Sequence, residues 1–168
     1  MHCWKSINMN REYGTFKIIL LSLMTMLLSF LTIFTAASVS LSRQEYRDDH
    51  AFLFLIALLL LGPLRKGLQV TLLSLLQGKV MPFSGKVTEP VGKYVYIFAL
   101  MAPSVSISLI ILICAFQFPS YAHYCAILIS IHIGFCVPAF LRLYHLLHSP
   151  QKCYVEENEE GYEILITH

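Results

Sequence analysis

Four long apolar stretches separated by short polar ones set the pattern of this chain. Ile18–Val39 contains no charged residue; the second stretch runs from Ala51 to about Leu76, the third from Tyr94 to Phe118 and the fourth from about Tyr124 to Leu147. At about 1.5 Å per helical residue, each is long enough to cross a hydrocarbon core of roughly 30 Å. A cleaved signal peptide is the competing reading of the first stretch, since TAASVS offers small residues. Its apolar region, however, exceeds the usual span of about 7–15 residues, and further hydrophobic segments follow.

The second stretch breaks its own pattern. Within LLLLGPLRKGLQVTLLSLL, Gly62 and Pro63 precede Arg65, Lys66 and Gln69. Leu, Ile or Phe favours insertion by about 0.3–0.6 kcal/mol each, whereas Arg or Lys at a helix centre opposes it by about 2.5–3.5 kcal/mol. The apolar residues before Arg65 therefore roughly cancel the two charges. The helix needs either a partner for them or a route by which the long side chains reach a membrane face.

The polar segments differ among themselves. Met1–Lys17 is basic, and Ser42–His50 groups Arg43, Glu45, Arg47, Asp48 and Asp49 with His50. Those carboxylates suggest a solvated loop capping the next helix rather than a cation site. Gln77–Lys93 holds Gly and Pro with Lys79, Lys86 and Lys93, and predicts a short hairpin or re-entrant loop at the membrane interface; it lacks the spacing of a phosphate-cradling loop. In the tail, CYVEE and YEILI flank Asn158–Gly161. They predict a β-hairpin with Gly161 supplying a positive φ and the glutamates on a solvated face.

Composition agrees with this picture: 57% hydrophobic and 13% charged residues is too apolar for an ordinary soluble domain. The expected fold is an all-α membrane protein of about four transmembrane helices, with a short interfacial hairpin loop and a C-terminal β-hairpin. Residues 1–150 form the transmembrane domain and 151–168 a cytoplasmic tail. Placing both termini and the Lys79–Lys93 loop on one side, with Arg65, Lys66 and Arg142 exiting there too, puts ten of the twelve Lys and Arg on that side, with Arg43 and Arg47 opposite. The positive-inside rule then makes the protein multi-pass in the cell membrane with both termini cytoplasmic. A net charge of +2 with scattered basic residues argues against nucleic acid as a partner.

Conventional chemistry is hard to assemble. Five cysteines without a CxxC pair predict neither a disulfide framework nor a thiolate metal site. His132 and His145 fall on nearly opposite faces of one helix, His145 and His148 share a face near its end, and His123 lies on the opposite side of the membrane. No Ser/His/Asp or Cys/His arrangement emerges, so the residues themselves predict no catalytic group, no metal and no cofactor.

Several short motifs together resemble a family. HCWKSIN followed by a Tyr-Gly and a long span, the GKV in the loop, ALMAPSVSISL and the closing PQKCYVEENEEGYEIL look like bacterial membrane proteins grouped as putative zincin peptidases. The resemblance implies a fold similar to the site-2-protease type of intramembrane metallopeptidase. In that pattern an HExxH stretch supplies two zinc-binding imidazoles and a glutamate base, and an aspartate on a later helix completes the site. Carried onto this chain, the HExxH positions fall on Arg65, Lys66 and Gln69, and the aspartate position falls on Ala139. Arginine does not deprotonate to bind a metal, lysine does not replace a carboxylate base, and alanine has no ligand atom.

Three function classes follow. The first is a non-catalytic membrane protein on a metallopeptidase-like scaffold, whose patch of Arg65, Lys66, Gln69 and Ala139 contacts membrane lipid, a membrane-protein partner, a second copy of the chain or Glu89. The second is an active intramembrane zinc peptidase with other ligands. The third is a small transporter or channel subunit, since charge within a membrane helix marks a path by default.

Overall fold

The computed structural model describes residues 2–40, 47–77, 90–158 and 161–166. In chain order the elements are β1 (His2–Ile7), α1 (Met9–Tyr13), α2 (Thr15–Ser40), α3 (Ala51–Gln77), β2 (Val91–Gly92), α4 (Lys93–Gln117), a 3₁₀ turn at Pro119–Tyr121, α5 (Ala122–Leu147), β3 (Cys153–Asn158) and β4 (Gly161–Ile166). Helices α2, α3, α4 and α5 carry the four apolar stretches, and each is long and apolar enough to cross a membrane. The protein is a multi-pass membrane protein with a small antiparallel sheet. Pro63, Pro103 and Pro138 lie inside α3, α4 and α5 without ending them. In a membrane, freed carbonyls find other donors and such prolines are tolerated.

The chain divides into two compact units, and the division falls between Ile18 and Ile19, between Arg65 and Lys66, between Pro103 and Ser104, and between Val137 and Pro138. The first unit contains the sheet, in the order β1-β4-β3-β2 with every pairing antiparallel. Alternation along β3 and β4 turns Cys153, Val155, Tyr162 and Ile164 inward, where Ile7 and Val91 join them. That face packs against Leu73 of α3, Tyr96, Ala99 and Leu100 of α4, and Ala139 and Leu146 of α5.

Two features of the sheet differ from the sequence expectation. The polar N-terminal segment is a strand, with Ile7 opposite Tyr162 and His2 opposite Ile166. The C-terminal hairpin is therefore central in a sheet whose edges come from residues 2–7 and 91–92. Gly161 meets a demand of contact: a Cβ built there would stand 2.2 Å from the Ile7 carbonyl oxygen. Among the described residues the positive φ belongs to Gly14, at 76°, between α1 and α2. The expected interfacial hairpin at 78–89, including Glu89, lies outside the described residues.

The second unit comprises Ile19–Arg65 and Ser104–Val137. The hydroxyls of Thr25, Thr32, Thr35 and Ser38 each donate to the carbonyl one turn earlier in α2, which lets this exposed helix present polar residues to lipid. The segment entering α3 is tied to the α4–α5 connection. Arg47 N donates to Ser120 O at 3.1 Å, His123 Nε2 lies 3.1 Å from Asp48 Oδ1, and the Phe54 and Tyr124 rings stack. Asp48 and Asp49 thus act as loop residues, Asp49 pairing with Arg47.

Helices α2 and α5 approach closely at Gly134, where a Cβ would lie 3.1 Å from both Met26 Cβ and Ser22 O. Backbones come this near only where side chains are absent. A Gly134→Val substitution is expected to lower stability by about 1–3 kcal/mol through overpacking, read as a thermal shift in detergent. A variant melting like the unsubstituted protein would mean that the two helices are not held at this distance.

Candidate functional site

Arg65 stands at the middle of α3, fourteen residues beyond Ala51. Its guanidinium Nη1 donates to the Phe135 carbonyl of α5. Pro138, three residues on, removes the ladder donor of the neighbouring Gly134 carbonyl, whereas Phe135 O accepts from Arg65 through its second lone pair. Lys66, the next residue, is exposed and makes no hydrogen bond or ion pair among the described residues. Gln69 is half-buried on the same side of α3, at i+3 from Lys66. Ala139 lies fully within the core of the first unit. Arg65 belongs to the second unit, and Lys66, Gln69 and Ala139 to the first.

The structure places the histidines in separate settings. His145 Nε2 lies 2.9 Å from the Tyr13 hydroxyl and 3.5 Å from Glu12 Oε2. His148 Nδ1, as N–H, donates to Tyr144 O at 2.9 Å, and His123 faces Asp48. His132 is fully buried in the second unit, where Nε2, as N–H, donates to the Ser104 carbonyl at 3.2 Å. Cys136 Sγ lies 3.7 Å from the same nitrogen and donates to Ser104 Oγ at 3.3 Å. His132 Nδ1 has no partner among the described residues.

This His132–Cys136–Ser104 cluster was not assembled from the sequence alone. Its signal was present, because His132 and Cys136 are at i and i+4 on one helix face. What the sequence did not reveal was the helix that brings Ser104 against them. The five cysteines are free thiols.

A second polar network lies in the first unit. Tyr96 OH donates to Glu157 Oε1 at 2.6 Å, and Arg142 Nη1 donates to the same oxygen at 2.8 Å. Glu157 was assigned above to a solvated hairpin face, yet only 11% of its side chain is exposed. The register explains the difference, because β3 is an inner strand that lies against α4 and α5. Near it, the buried Tyr162 hydroxyl has no hydrogen-bond partner among the described residues, and burial pushes its phenol pKa up. Lys93, also buried, donates from Nζ to Ser149 O at 2.8 Å, satisfying a carbonyl just beyond the end of α5.

A zinc ion of the kind the family resemblance implies does not fit these residues. Among the described residues, no three of His, Cys, Asp and Glu converge on a point. The groups on α3 around Arg65 are two cations and an amide, which repel or fail to bind a divalent ion. The pair His132 and Cys136 falls short of the three protein ligands of a catalytic zinc site.

Comparison with curated proteins and with solved structures finds no match. A family model does match, that of the putative zincin peptidases, over residues 49–154. This covers α3, α4, α5 and the start of β3, and with more than half of the chain inside the match, the chain belongs to the putative zincin peptidase family.

Proposed function

We propose that this protein keeps a metallopeptidase-like scaffold without its chemistry and serves a binding or regulatory role in the membrane. The observation that carries this is Arg65. Its guanidinium bonds to a backbone carbonyl of α5, and on this reading it stands where the family motif calls for the first zinc-binding histidine. Lys66 and Gln69 then occupy the positions of the glutamate base and the second histidine, and Ala139 that of the aspartate. Arg65 thus takes over the task of linking two helices that a metal with ligands on both would perform.

The same reading places both termini in the cytoplasm. Pairing of β1 with β4 supports a common side for the two ends, in agreement with an even number of spans. The excess of Lys and Arg at that end supports the cytoplasmic assignment.

The test is proteolysis in a bilayer. The purified protein in nanodiscs, incubated with transmembrane reporter peptides, is expected to give no cleavage that a zinc chelator suppresses. Chelator-sensitive cleavage by the purified chain, retained in Arg65→Met, would establish a working metallopeptidase with other ligands and end this account.

A further inference from the structure

The four spans, Thr15–Val39, Ala51–Gln77, Lys93–Gln117 and Pro119–Leu147, contain five basic residues and no carboxylate. Three of the five cations are satisfied within the protein. Arg65 donates to Phe135 O, Lys93 to Ser149 O and Arg142 to Glu157. Lys17 stands in the first turn of α2, where its stem reaches the membrane surface. Lys66 remains: it is exposed, and no described residue offers it an anion or an acceptor. A lone ammonium in a hydrocarbon layer is strongly disfavoured, so Lys66 needs a counter-charge from beyond the described residues.

The position of Lys66 along its helix indicates the source. It lies fifteen residues beyond Ala51, about 22 Å along the axis. If α3 starts at one edge of a hydrocarbon core of roughly 30 Å, the Lys66 backbone is about 8 Å short of the other edge. A lysine stem spans most of that gap. Gln69 lies one turn closer to the same edge and on the same side of α3. Leu59, at i−7 from Lys66, is 76% exposed, so this side of the helix faces lipid. Gly67 leaves open space beside Lys66, with no atom within 4 Å of a Cβ built there.

We propose that Lys66 and Gln69 form a binding site for the phosphate of an anionic phospholipid. The ammonium neutralises the phosphodiester while the Gln69 amide N–H donates to one of its oxygens, and the acyl chains run along the exposed Leu59 side of α3. This assignment rests on the non-catalytic reading of the motif positions, and names the ligand of that patch. It also gives Arg65 and Lys66 different tasks: the first is bound internally and the second is free to bind.

Native mass spectrometry of the full-length protein, exchanged into nanodiscs of mixed phosphatidylglycerol and phosphatidylcholine and released from them, tests the proposal. The protein is expected to retain phosphatidylglycerol in preference to phosphatidylcholine by roughly fivefold, the weight of one basic residue beside an anionic lipid. Lys66→Met should abolish the preference, Gln69→Leu should weaken it, and Lys66→Arg should keep it. Lys17→Met should leave it unchanged. Equal retention of the two lipids, or a preference that survives in Lys66→Met, would overturn the proposal. So would displacement of the lipid by millimolar inorganic phosphate, which would assign the site to a free anion. A copurifying membrane protein lost in Lys66→Met, with no lipid preference, would assign the counter-charge to an acidic side chain instead. Zinc measured in the same samples reports separately on the non-catalytic reading, so failure of one is not mistaken for failure of the other.

Discussion

Substituting Gly161 by alanine is expected to strip β1 from the sheet. The added Cβ would stand 2.2 Å from Ile7 O and 3.0 Å from both Ile7 C and Asn8 Cα, all of them backbone atoms. No rotamer change relieves a contact with backbone, so either β1 moves or β4 does. β4 is held on its other side by β3 along its whole length, from Asn158 opposite Gly161 to Cys153 opposite Ile166. β1, an edge strand, has no second neighbour among the described residues, and it is the element expected to yield. The loss should be about 3 kcal/mol, at the upper end of overpacking penalties, because Ile7 leaves the core with the strand. Hydrogen exchange should show the amides of residues 2–7 losing protection while those of α4 and α5 keep theirs. Unchanged protection of residues 2–7 in Gly161→Ala would contradict the close approach.

Glu157→Ala should be nearly as damaging, for an electrostatic reason. The carboxylate accepts from Tyr96 and from Arg142, and its removal leaves a phenol and a guanidinium without their acceptor in a largely buried setting. Breaking a fully buried ion pair from one side is strongly destabilising; with 36% of the Arg142 side chain exposed, the loss is smaller, about 2–3 kcal/mol. The double variant Glu157→Ala with Arg142→Met removes the orphaned charge as well. It should recover part of the loss in thermal stability, whereas strictly additive losses would mean that the two groups do not act as a pair.

These two sites also mark where the sequence could and could not be read. The four spans were legible because nothing but a membrane helix accommodates apolar runs of that length, and their expected limits match α2–α5 closely. The hairpin was legible from the alternation in CYVEE and YEILI, which places Val155 and Ile164 on one face. β1 was not, because HCWKSI has neither alternation nor a turn signal beside it. It is a strand only because β4, more than 150 residues later, offers an edge. Glu157 read as solvated for a similar reason: its sequence neighbours are acidic, and its partners Tyr96 and Arg142 are far away in the chain.

At the candidate site, the residue types were readable and their partners were not. Arg65 in an apolar helix signalled that something must accept from it, but a backbone carbonyl of another helix as the acceptor leaves no mark in the sequence. His132 and Cys136 carried their relation in their spacing, and Ser104 could be joined to them only by the packing of α4 against α5 within the second unit.

The most direct test of the central claim is the zinc content of the purified protein, measured by elemental mass spectrometry after extraction in mild detergent without chelator and again after zinc is supplied and free metal removed. Clearly substoichiometric zinc in both, with thermal stability indifferent to chelator, is the result this account predicts. About one zinc per chain, removed by chelator together with part of the stability, would contradict it and show that the scaffold has kept its metal through other ligands.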